Sequence, residues 1–378
     1  RRLRHTREGK DSPEGGVIKL RLSFLLTGES AVSHFLIPVK MFQDVTPPPN
    51  NSNNTSIVDF VYLWCDGDEP AFAARKQARL KETNPDKVNE NIGDVRYIQH
   101  DELRYALRSV NKYAPWARHI YIVTDRQRPA WLKDHPKVTV IDHKSILPEA
   151  LLPVFSSICI EMYLDRIPGL SEQFIYSNDD IFLNRPLEEK DFFTEDGAPI
   201  VWMSKKKAKK ITPEVGASIL SDNSINNWQK TVIRAWALYR ERTGSLIPYY
   251  YPAHSVDAYT KTCFRQVIEK YPELRRVNST PFRTGKDISR ALFSYEMIGS
   301  MQCPVEFTEE WNFWARLKNR VFPVEMLTLC QENVKKLKRN IRVFNPKTFC
   351  LNNLTPEQSM EGIEYLRSRF PDPAPWEK

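Results

Sequence analysis

The chain has 378 residues, 41% of them hydrophobic and 11% aromatic, and a formal net charge of +8 at pH 7. This composition predicts a globular protein with a large core, in one large domain or two smaller ones. No stretch reaches the roughly 20 uncharged apolar residues of a membrane-spanning helix, and "RRLRHTREGK" leads into no apolar signal segment, so we expect a soluble protein.

Two segments precede the predicted main domain. Residues 1–45 carry apolar stretches such as "VIKLRLSFLL" and predict a small accessory segment. The run "TPPPNNSNNTS" at 46–56 predicts a linker, because its prolines and polar residues can neither join a sheet nor build a core. The main domain is therefore predicted at 57–378.

Strands and helices alternate from residue 57 onward. Strands are indicated by runs of β-branched and aromatic residues, and helices by apolar residues at helical spacing, such as Leu103, Leu107 and Val110. The alternation predicts an α/β fold with a mainly parallel sheet covered by helices on both sides. The predicted strands are 57–64, 119–125, 138–143 and 174–177, and the predicted helices are 101–113 and 154–166.

Acidic residues follow each of these strands. They are Asp66, Asp125, Asp142 and the pair Asp179 and Asp180. A single aspartate there is explained by the preference of Asp and Asn for turns. The triple of Asn178, Asp179 and Asp180 favours a metal site, because adjacent carboxylates repel each other unless a cation lies beside them. Mg²⁺ or Mn²⁺ bridging to substrate phosphates would supply that charge at the carboxyl edge of the sheet.

The second half of the sequence contains two further candidate regions. Residues 251–271 predict a helix that begins near Ser255, with His254 just ahead of it. Residues 280–299 place Arg283, Lys286 and Asp287 on a loop before another helix. Cations and backbone amides at such a position are typical of an anion site, so this loop is a candidate for phosphate binding.

The six cysteines are widely spread and form no Cys-x-x-Cys pair. This spacing argues against a zinc site and against a disulfide scaffold, and it favours a reducing compartment.

Positive charge is concentrated in three runs, "RRLRHTREGK", "SKKKAKK" at 204–210 and "ENVKKLKRNIR" at 332–342. Such runs are usually solvated faces, but they also suit an anionic membrane surface or a polyanionic substrate. Nucleic-acid binding is not expected, because "SKKKAKK" has no interleaved aromatic residues.

Several of these stretches together resemble the Stealth family. The runs "DELRYALRSVNKYAPWARHIYIVTDRQRPAWL" and "LPVFSSICIEMYLDRIPGLSEQFIYSNDDIFLNRPL" resemble its long second conserved block. "IVDFVYLWCDGDEP" resembles the first block, "PAHSVDAY" through "FRTGKDIS" the third, and "KTFCLNNLTPEQ" the fourth.

The resemblance implies a GT-A-like fold, with additional C-terminal helices, and a sugar-1-phosphate transferase. Such an enzyme uses a UDP-sugar donor, most typically a UDP-N-acetylhexosamine, together with Mg²⁺ or Mn²⁺. An acceptor hydroxyl attacks phosphorus and displaces UMP, which leaves a phosphodiester. The alternative is a metal-dependent GT-A glycosyltransferase, which releases UDP instead.

The resemblance also implies roles for individual residues. Asp101 and His254 would activate the acceptor or protonate the leaving group, and Arg283 with help from Arg104 would neutralise the diphosphate. The remaining candidates are Asp179, Asp180 and Asp287 for the metal, and Asp66, Asn178 and Lys286 for substrate. An alternative for Asp101 and Glu102 is that they are favourable charges in the first turn of a helix, with Arg104 and Arg108 on its solvated face.

The sequence departs from the family pattern in two places. Gln99 and His100 stand where relatives commonly have Asp-Asn, and Asn352 and Asn353 where they have Asn-Asp. The second change removes an acidic group, so the fourth block is left out of the predicted metal site. The chain lacks the large insertions of the animal enzyme, which favours a bacterial capsule polymerase acting in the cytoplasm. Its basic runs would guide a polyanionic capsule chain or hold the enzyme at the inner membrane.

Overall fold

The fold comes from a computed structural model, which describes residues 57–83, 97–204, 213–222, 224–308, 328–331, 333–351 and 356–378. The predicted accessory segment at 1–45, the linker at 46–56 and the lysines at 205–210 lie outside the described residues. The domain boundaries therefore stay predictions. None of the helices in the described part of the chain is long and apolar enough to cross a membrane.

Strands and helices alternate through the described ranges. The strands are β1 Val58–Leu63, β2 His119–Thr124, β3 Val138–Asp142, β4 Gln173–Asn178, β5 Ile181–Leu183, β6 Val201–Ser204, β7 Tyr251–Pro252, β8 Asp257–Thr260, β9 Val305–Thr308, β10 Thr328–Gln331 and β11 Thr348–Leu351. The α-helices are α1 Pro70–Thr83, α2 Glu102–Tyr113, α3 Ser157–Glu161, α4 Pro213–Ser221, α5 Asn227–Thr243, α6 Lys261–Lys270, α7 Glu273–Val277, α8 Ala291–Gly299, α9 Val334–Phe344 and α10 Pro356–Arg369.

The central sheet has the strand order β3-β2-β1-β4-β8. Its first four strands are parallel, and β8 pairs antiparallel with β4 at the edge. Alternate residues of β1 pack on opposite faces, Phe60 in one core cluster and Val61 in the other. Both faces are covered, which explains the continuous apolar character of this strand. The predicted α/β fold with a mainly parallel sheet is confirmed.

Two smaller sheets surround the central one. Strands β10, β11 and β5 form one of them, and β7, β6 and β9 form the other. The antiparallel pairing of β5 with β11 sets Ile181 opposite Cys350. This pairing places β11, which lies in the stretch that resembles the fourth family block, beside the end of β4, where Asp179 and Asp180 lie. The predicted C-terminal helices are present as α9 and α10.

The helix predicted to begin near Ser255 is wrong over its first residues. Residues 257–260 form β8, and α6 begins only at Lys261, with the Thr260 side chain accepting a hydrogen bond from the Cys263 backbone at its N-terminus. The apolar residues Val256 and Tyr259 fit a helical period, but in the fold they lie in and beside a strand that pairs with β4. The predicted helix at 154–166 is also shorter, because α3 spans five residues and a 3-10 turn follows at Leu164–Arg166.

Glu377 fastens the C-terminal residues to α2. Its carboxylate accepts hydrogen bonds from Arg104 Nε at 2.6 Å, and from Arg108 Nε at 2.6 Å and Nη2 at 2.7 Å. Arg108 is 7% exposed, so the alternative that both arginines lie on a solvated face is wrong for Arg108. Burial opposes ionisation of Glu377, but the bonds from Arg108, the Ala374 backbone and Arg104 hold its pKa below the usual value.

Replacing Glu377 with glutamine should lower the free energy of unfolding by about 1–3 kcal/mol at pH 7, because the carboxylate that pairs with two arginines becomes a neutral amide. A depressed carboxyl pKa stabilises the fold above the unfolded value, and that contribution is lost as the pH falls through the folded pKa. The difference between wild type and variant should therefore shrink in acid, which urea unfolding at pH 7 and pH 4 measures. Glu361→Gln is the control, since its pair with Lys338 is one-third exposed. Equal losses in both variants would contradict this account.

Candidate functional site

The carboxyl ends of β1 and β4 bring the first group of predicted residues together. Leu63 lies opposite Asn178 in the parallel pairing, so the residues that follow each strand are neighbours. Asp179 raises the pKa of Cys65, as does Asp66, and together with the larger effect of burial this pKa reaches about 12. The turns after β1 and β4 therefore face the same space, as the sequence predicts for a parallel sheet.

Three carboxylates share that space. Burial raises the pKa of Asp179 well above its usual value, and the charges of Asp180 and Glu102 raise it further. The pKa of Glu102 is raised too, mainly by burial, although its carboxylate accepts a hydrogen bond from the His100 backbone. Carboxylate oxygens in this number fit a hard divalent cation. Glu102 was missed as a site residue because a glutamate in the first turn of a helix is ordinary.

Asp180 also contacts residues from two other elements. Its Oδ2 accepts a hydrogen bond from Cys350 Sγ at 3.4 Å, and its Oδ1 is buried without a hydrogen-bond partner among the described residues. One ligand atom each from Asp180, His254 and Cys350 lies within 4.8 Å of the others. Burial raises the pKa of Asp180, while His254 and the bond from Cys350 oppose the rise.

His254 lies on the short segment between β7 and β8. The next residue, Ser255, shares a hydrogen bond with Thr348 of β11, with 2.7 Å between the two hydroxyl oxygens. His254 also interacts electrostatically with Asp257 of β8, whose pKa is raised mainly by burial. The imidazole is therefore close to the carboxylates of Asp180 and Asp257, and its segment is hydrogen-bonded to the strand that carries Cys350.

Arg290, which sequence reasoning missed, organises a charged network beside the histidine. Its Nε lies 2.8 Å from Asp257 Oδ2, its Nη1 lies 3.3 Å from Glu161 Oε1, and its guanidinium lies 5.0 Å from the Tyr176 ring centroid. Tyr176 Oη is 3.1 Å from both Glu161 Oε1 and Asn178 Oδ1. The network thus reaches the first residue of the Asn-Asp-Asp triple.

The loop before α8 holds the predicted phosphate-binding residues. Arg283 donates a hydrogen bond to the Ser157 hydroxyl. Asp287 accepts bonds from the Thr284 backbone and hydroxyl, each at 2.7 Å, and the Lys286 backbone donates to the same hydroxyl at 3.2 Å. Both carboxylate oxygens of Asp287 accept hydrogen bonds from Thr284 within the loop. Asp287 does not belong to the cluster of Asp180, His254 and Cys350. Its role as a metal ligand stays a prediction.

Asp101, Arg104 and Asp66 are three further residues predicted for the site. Asp101 is the N-cap residue of α2, and its Oδ2 lies 4.0 Å from Arg104 Nη1. The guanidinium of Arg104 also pairs with Glu377, on the side of α2 that meets the C-terminal residues. Asp66 accepts a backbone hydrogen bond from Asp68 and donates one to Gln127, each at 3.0 Å. The roles predicted for these three residues stay predictions.

Comparison with protein families finds one matching model, described as Stealth protein CR2, conserved region 2, over residues 96–201. That range contains Asp101, Glu102, Asp179 and Asp180. The match falls on the two long runs that carry the resemblance in the sequence.

Curated relatives match over most of the chain. The capsular polysaccharide phosphotransferase LcbA of Neisseria meningitidis is 30% identical over 312 residues, which cover 80% of this chain and 79% of that protein. The exopolysaccharide phosphotransferase CpsY of Mycobacterium leprae is 33% identical over 342 residues, 87% of this chain and 58% of that protein. The chain thus spans somewhat more than half the length of this second relative.

Solved structures with detectable similarity include galactosyltransferase LgtC in complex with donor and acceptor sugar analogues. The match covers 84% of this chain and 96% of that one, with a TM-score of 0.39 and 11% sequence identity. The bifunctional glycosyltransferase WbbM gives a TM-score of 0.40 with 10% identity, over 87% of this chain and 52% of the other. Both scores are below 0.5 and describe a limited overall similarity.

Proposed function

This chain belongs to the Stealth family, and we propose that it is a capsule polysaccharide polymerase that transfers a hexosamine-1-phosphate from a UDP-sugar to an acceptor sugar hydroxyl. The products are a phosphodiester link and UMP. The observation that carries the proposal is the cluster of Asp180 with His254 and Cys350, next to the carboxylates of Asp179 and Glu102. The names of curated relatives, which include capsular and exopolysaccharide phosphotransferases, support it.

Phosphoryl transfer depends on positioning and on neutralising charge around the transferring group. Mg²⁺ or Mn²⁺, held by Asp179 and Asp180 with Glu102 nearby, would supply positive charge for the donor diphosphate. The Arg283 guanidinium adds a second positive charge, and its bond to Ser157 fixes its direction. Arg104, Asp66, Asn178 and Lys286 remain the proposed substrate-binding residues.

His254 is the proposed proton carrier. It interacts electrostatically with Asp180 and Asp257, and an imidazole nitrogen can accept the proton of the acceptor hydroxyl. Proton transfer by a positioned group contributes typically about 10²- to 10⁴-fold to a rate. Asp101 is the second candidate for this step.

The released nucleotide tests the proposal. The protein is incubated with a panel of UDP-sugars, Mg²⁺ and short phosphodiester-linked acceptors, and the nucleotide is identified by chromatography. UMP supports attack on phosphorus, whereas UDP supports the glycosyltransferase alternative and overturns the proposal. With the fold intact, His254→Ala and Asp101→Ala should each lose UMP release, and full activity in either variant would remove that residue from the site.

The basic face of α9 is proposed to attract a polyanionic acceptor. Lys335, Lys336 and Arg339 are exposed and line one open depression together with Asn333. These three residues of the third basic run therefore form a positively charged surface on α9. We propose that the enzyme works in the cytoplasm, where this face could equally meet the anionic inner membrane.

Reversing Lys335, Lys336 and Arg339 to glutamate should raise KM for long acceptors by about tenfold at low salt and leave short acceptors nearly unaffected. The reason is that a long acceptor can occupy the active site and α9 together. Initial rates against acceptor length measure the effect, which should shrink with added salt. Reversal of the exposed Lys133, Lys144 and Lys190 is the matched control. Equal changes for long and short acceptors would contradict this role.

A further inference from the structure

Asp180, His254 and Cys350 meet although they come from three separate stretches of the sequence. Asp180 lies in the turn between β4 and β5, His254 lies before β8, and Cys350 lies in β11. We propose that these three side chains form a binding site for a thiophilic divalent cation of the zinc class, which shares Asp180 with the proposed Mg²⁺ or Mn²⁺ site but adds His254 and Cys350 as ligands. The spread of the cysteines argued against zinc, but pairing of β5 with β11 brings one thiol to the aspartate.

The donor atoms determine which cation fits. A carboxylate oxygen, an imidazole nitrogen and a thiolate sulfur are the ligands that Zn²⁺ and related borderline-soft ions prefer. Mg²⁺ prefers oxygen ligands and does not select sulfur. A catalytic or open zinc site has three protein ligands and leaves one position for water or substrate, which matches the number found here.

The spacing of the three donors suits a tetrahedral ion. Bonds of about 2.0–2.3 Å place the ligand atoms of a zinc site roughly 3.3–3.6 Å apart. Cys350 Sγ already lies 3.4 Å from Asp180 Oδ2, and all three donors lie within 4.8 Å of one another. Cys350 is buried in β11, and the Asp180 carbonyl accepts a backbone hydrogen bond from Leu351 at 3.3 Å, so two ligands are held by strand pairing.

A second observation points to a ligand here. Asp180 Oδ1 is buried and accepts no hydrogen bond from any described residue. A buried carboxylate oxygen without a donor is unfavourable, and a bound cation would satisfy it. Metal binding would also displace the thiol proton of Cys350, because the thiolate is the ligand.

Occupation of this site would inhibit transfer, a consequence that rests on the proposed function. A cation on the ring nitrogen of His254 prevents that nitrogen from accepting a proton, and the same cation competes for Asp180 with Mg²⁺. Zinc should therefore inhibit at concentrations far below those of Mg²⁺, and a chelator should restore activity.

Cobalt spectroscopy tests the site without any nucleotide sugar. Co²⁺ is added to the full chain, prepared without a histidine tag, and the spectrum is recorded for a thiolate-to-cobalt charge-transfer band. Wild type should show the band with tetrahedral visible transitions, and zinc should displace the cobalt. Cys350→Ser should lose the band and bind zinc at least about tenfold more weakly. Cys263→Ser, outside the cluster, is the matched control and should keep both properties.

Cys350 lies in the core, so Cys350→Ser could misfold, and a second variant keeps the test valid in that case. His254→Gln keeps the thiol and should also weaken zinc binding by at least about tenfold, with an unchanged circular dichroism spectrum. The proposal is overturned if wild type shows no thiolate band, or if both variants bind zinc as wild type does. Because neither measurement requires catalysis, its failure leaves the UMP result unaffected, and the absence of UMP release leaves the zinc result unaffected.

Discussion

Replacing Asp179 with asparagine is expected to reduce transfer by at least about 10²-fold and yet to raise the melting temperature of the metal-free protein. The rate falls because the variant lacks a carboxylate that would hold the cation. The stability rises because burial, Asp180 and Glu102 all disfavour the ionised form of Asp179. A neutral amide of similar shape removes that repulsion.

The pH dependence follows from the raised pKa. A carboxyl whose pKa is raised by folding contributes most stability below its unfolded value, about 3.9, and the contribution is lost as the pH rises through the folded pKa. In wild type, the ionised Asp179 carboxylate therefore destabilises the fold most once the pH exceeds its raised pKa. The stability gain of Asp179→Asn should be largest there and vanish toward about pH 4.

Thermal unfolding in EDTA, with and without subsequent Mg²⁺, measures both effects. Mg²⁺ should raise the melting temperature of wild type and leave Asp179→Asn nearly unchanged. Asp142→Asn is the control, because Asp142 also follows a strand but accepts hydrogen bonds from the backbones of Arg126 and Lys144, at 3.1 and 2.9 Å. That variant should gain no stability. A destabilised Asp179→Asn protein would contradict the charge-repulsion account.

Replacing Arg290 with methionine should lower the free energy of unfolding by about 3–5 kcal/mol, the largest stability loss expected from a single substitution here. The guanidinium side chain is 23% exposed, and it pairs with Asp257 and Glu161, which are 11% and 5% exposed. Its removal leaves two buried carboxylates without their cation. Methionine preserves the apolar packing over Tyr176, so the loss would report mainly on the charge.

Urea unfolding at pH 7 measures this loss. Arg265→Met is the matched control, because Arg265 is 54% exposed and its partner Asp165 also pairs with Arg275. The control should lose less than about 1 kcal/mol. Burial raises the pKa of Asp257, so its protonation at lower pH should reduce the difference between Arg290→Met and wild type. A loss as small as that of the control would mean that the network does not stabilise the fold.

The parallel sheet and its acidic edge were predictable because both depend on local sequence. Strand residues such as Phe60 and Val61 are apolar on both faces, and Asp179 and Asp180 follow β4 directly. The carboxyl ends of parallel strands necessarily share an edge, which places Asp66 and Asp179 on one edge, and the pairing of β1 with β4 makes them neighbours there. The structure confirms this neighbourhood through the charge effects on Cys65.

The remaining site residues depend on contacts between distant stretches. Cys350 reaches Asp180 only through the pairing of β5 with β11, and Arg290 reaches Glu161 only through tertiary packing. No periodicity within a short window reports such contacts. The error at 255–260 has a similar origin, because antiparallel pairing with β4 overrides a helical spacing of apolar residues.

The turn that carries Asp179 and Asp180 joins strands of two different sheets, since β4 belongs to the central sheet and β5 pairs with β11. The two aspartates therefore lie between two sheets, each of which has its own strand hydrogen bonds. Asp180 and Cys350 are both held by the small sheet, whereas His254 lies directly before β8, the edge strand of the central sheet. A ligand that binds all three would therefore link the small sheet to the edge of the central one, and the distance between the two sheets would depend on whether the site is occupied.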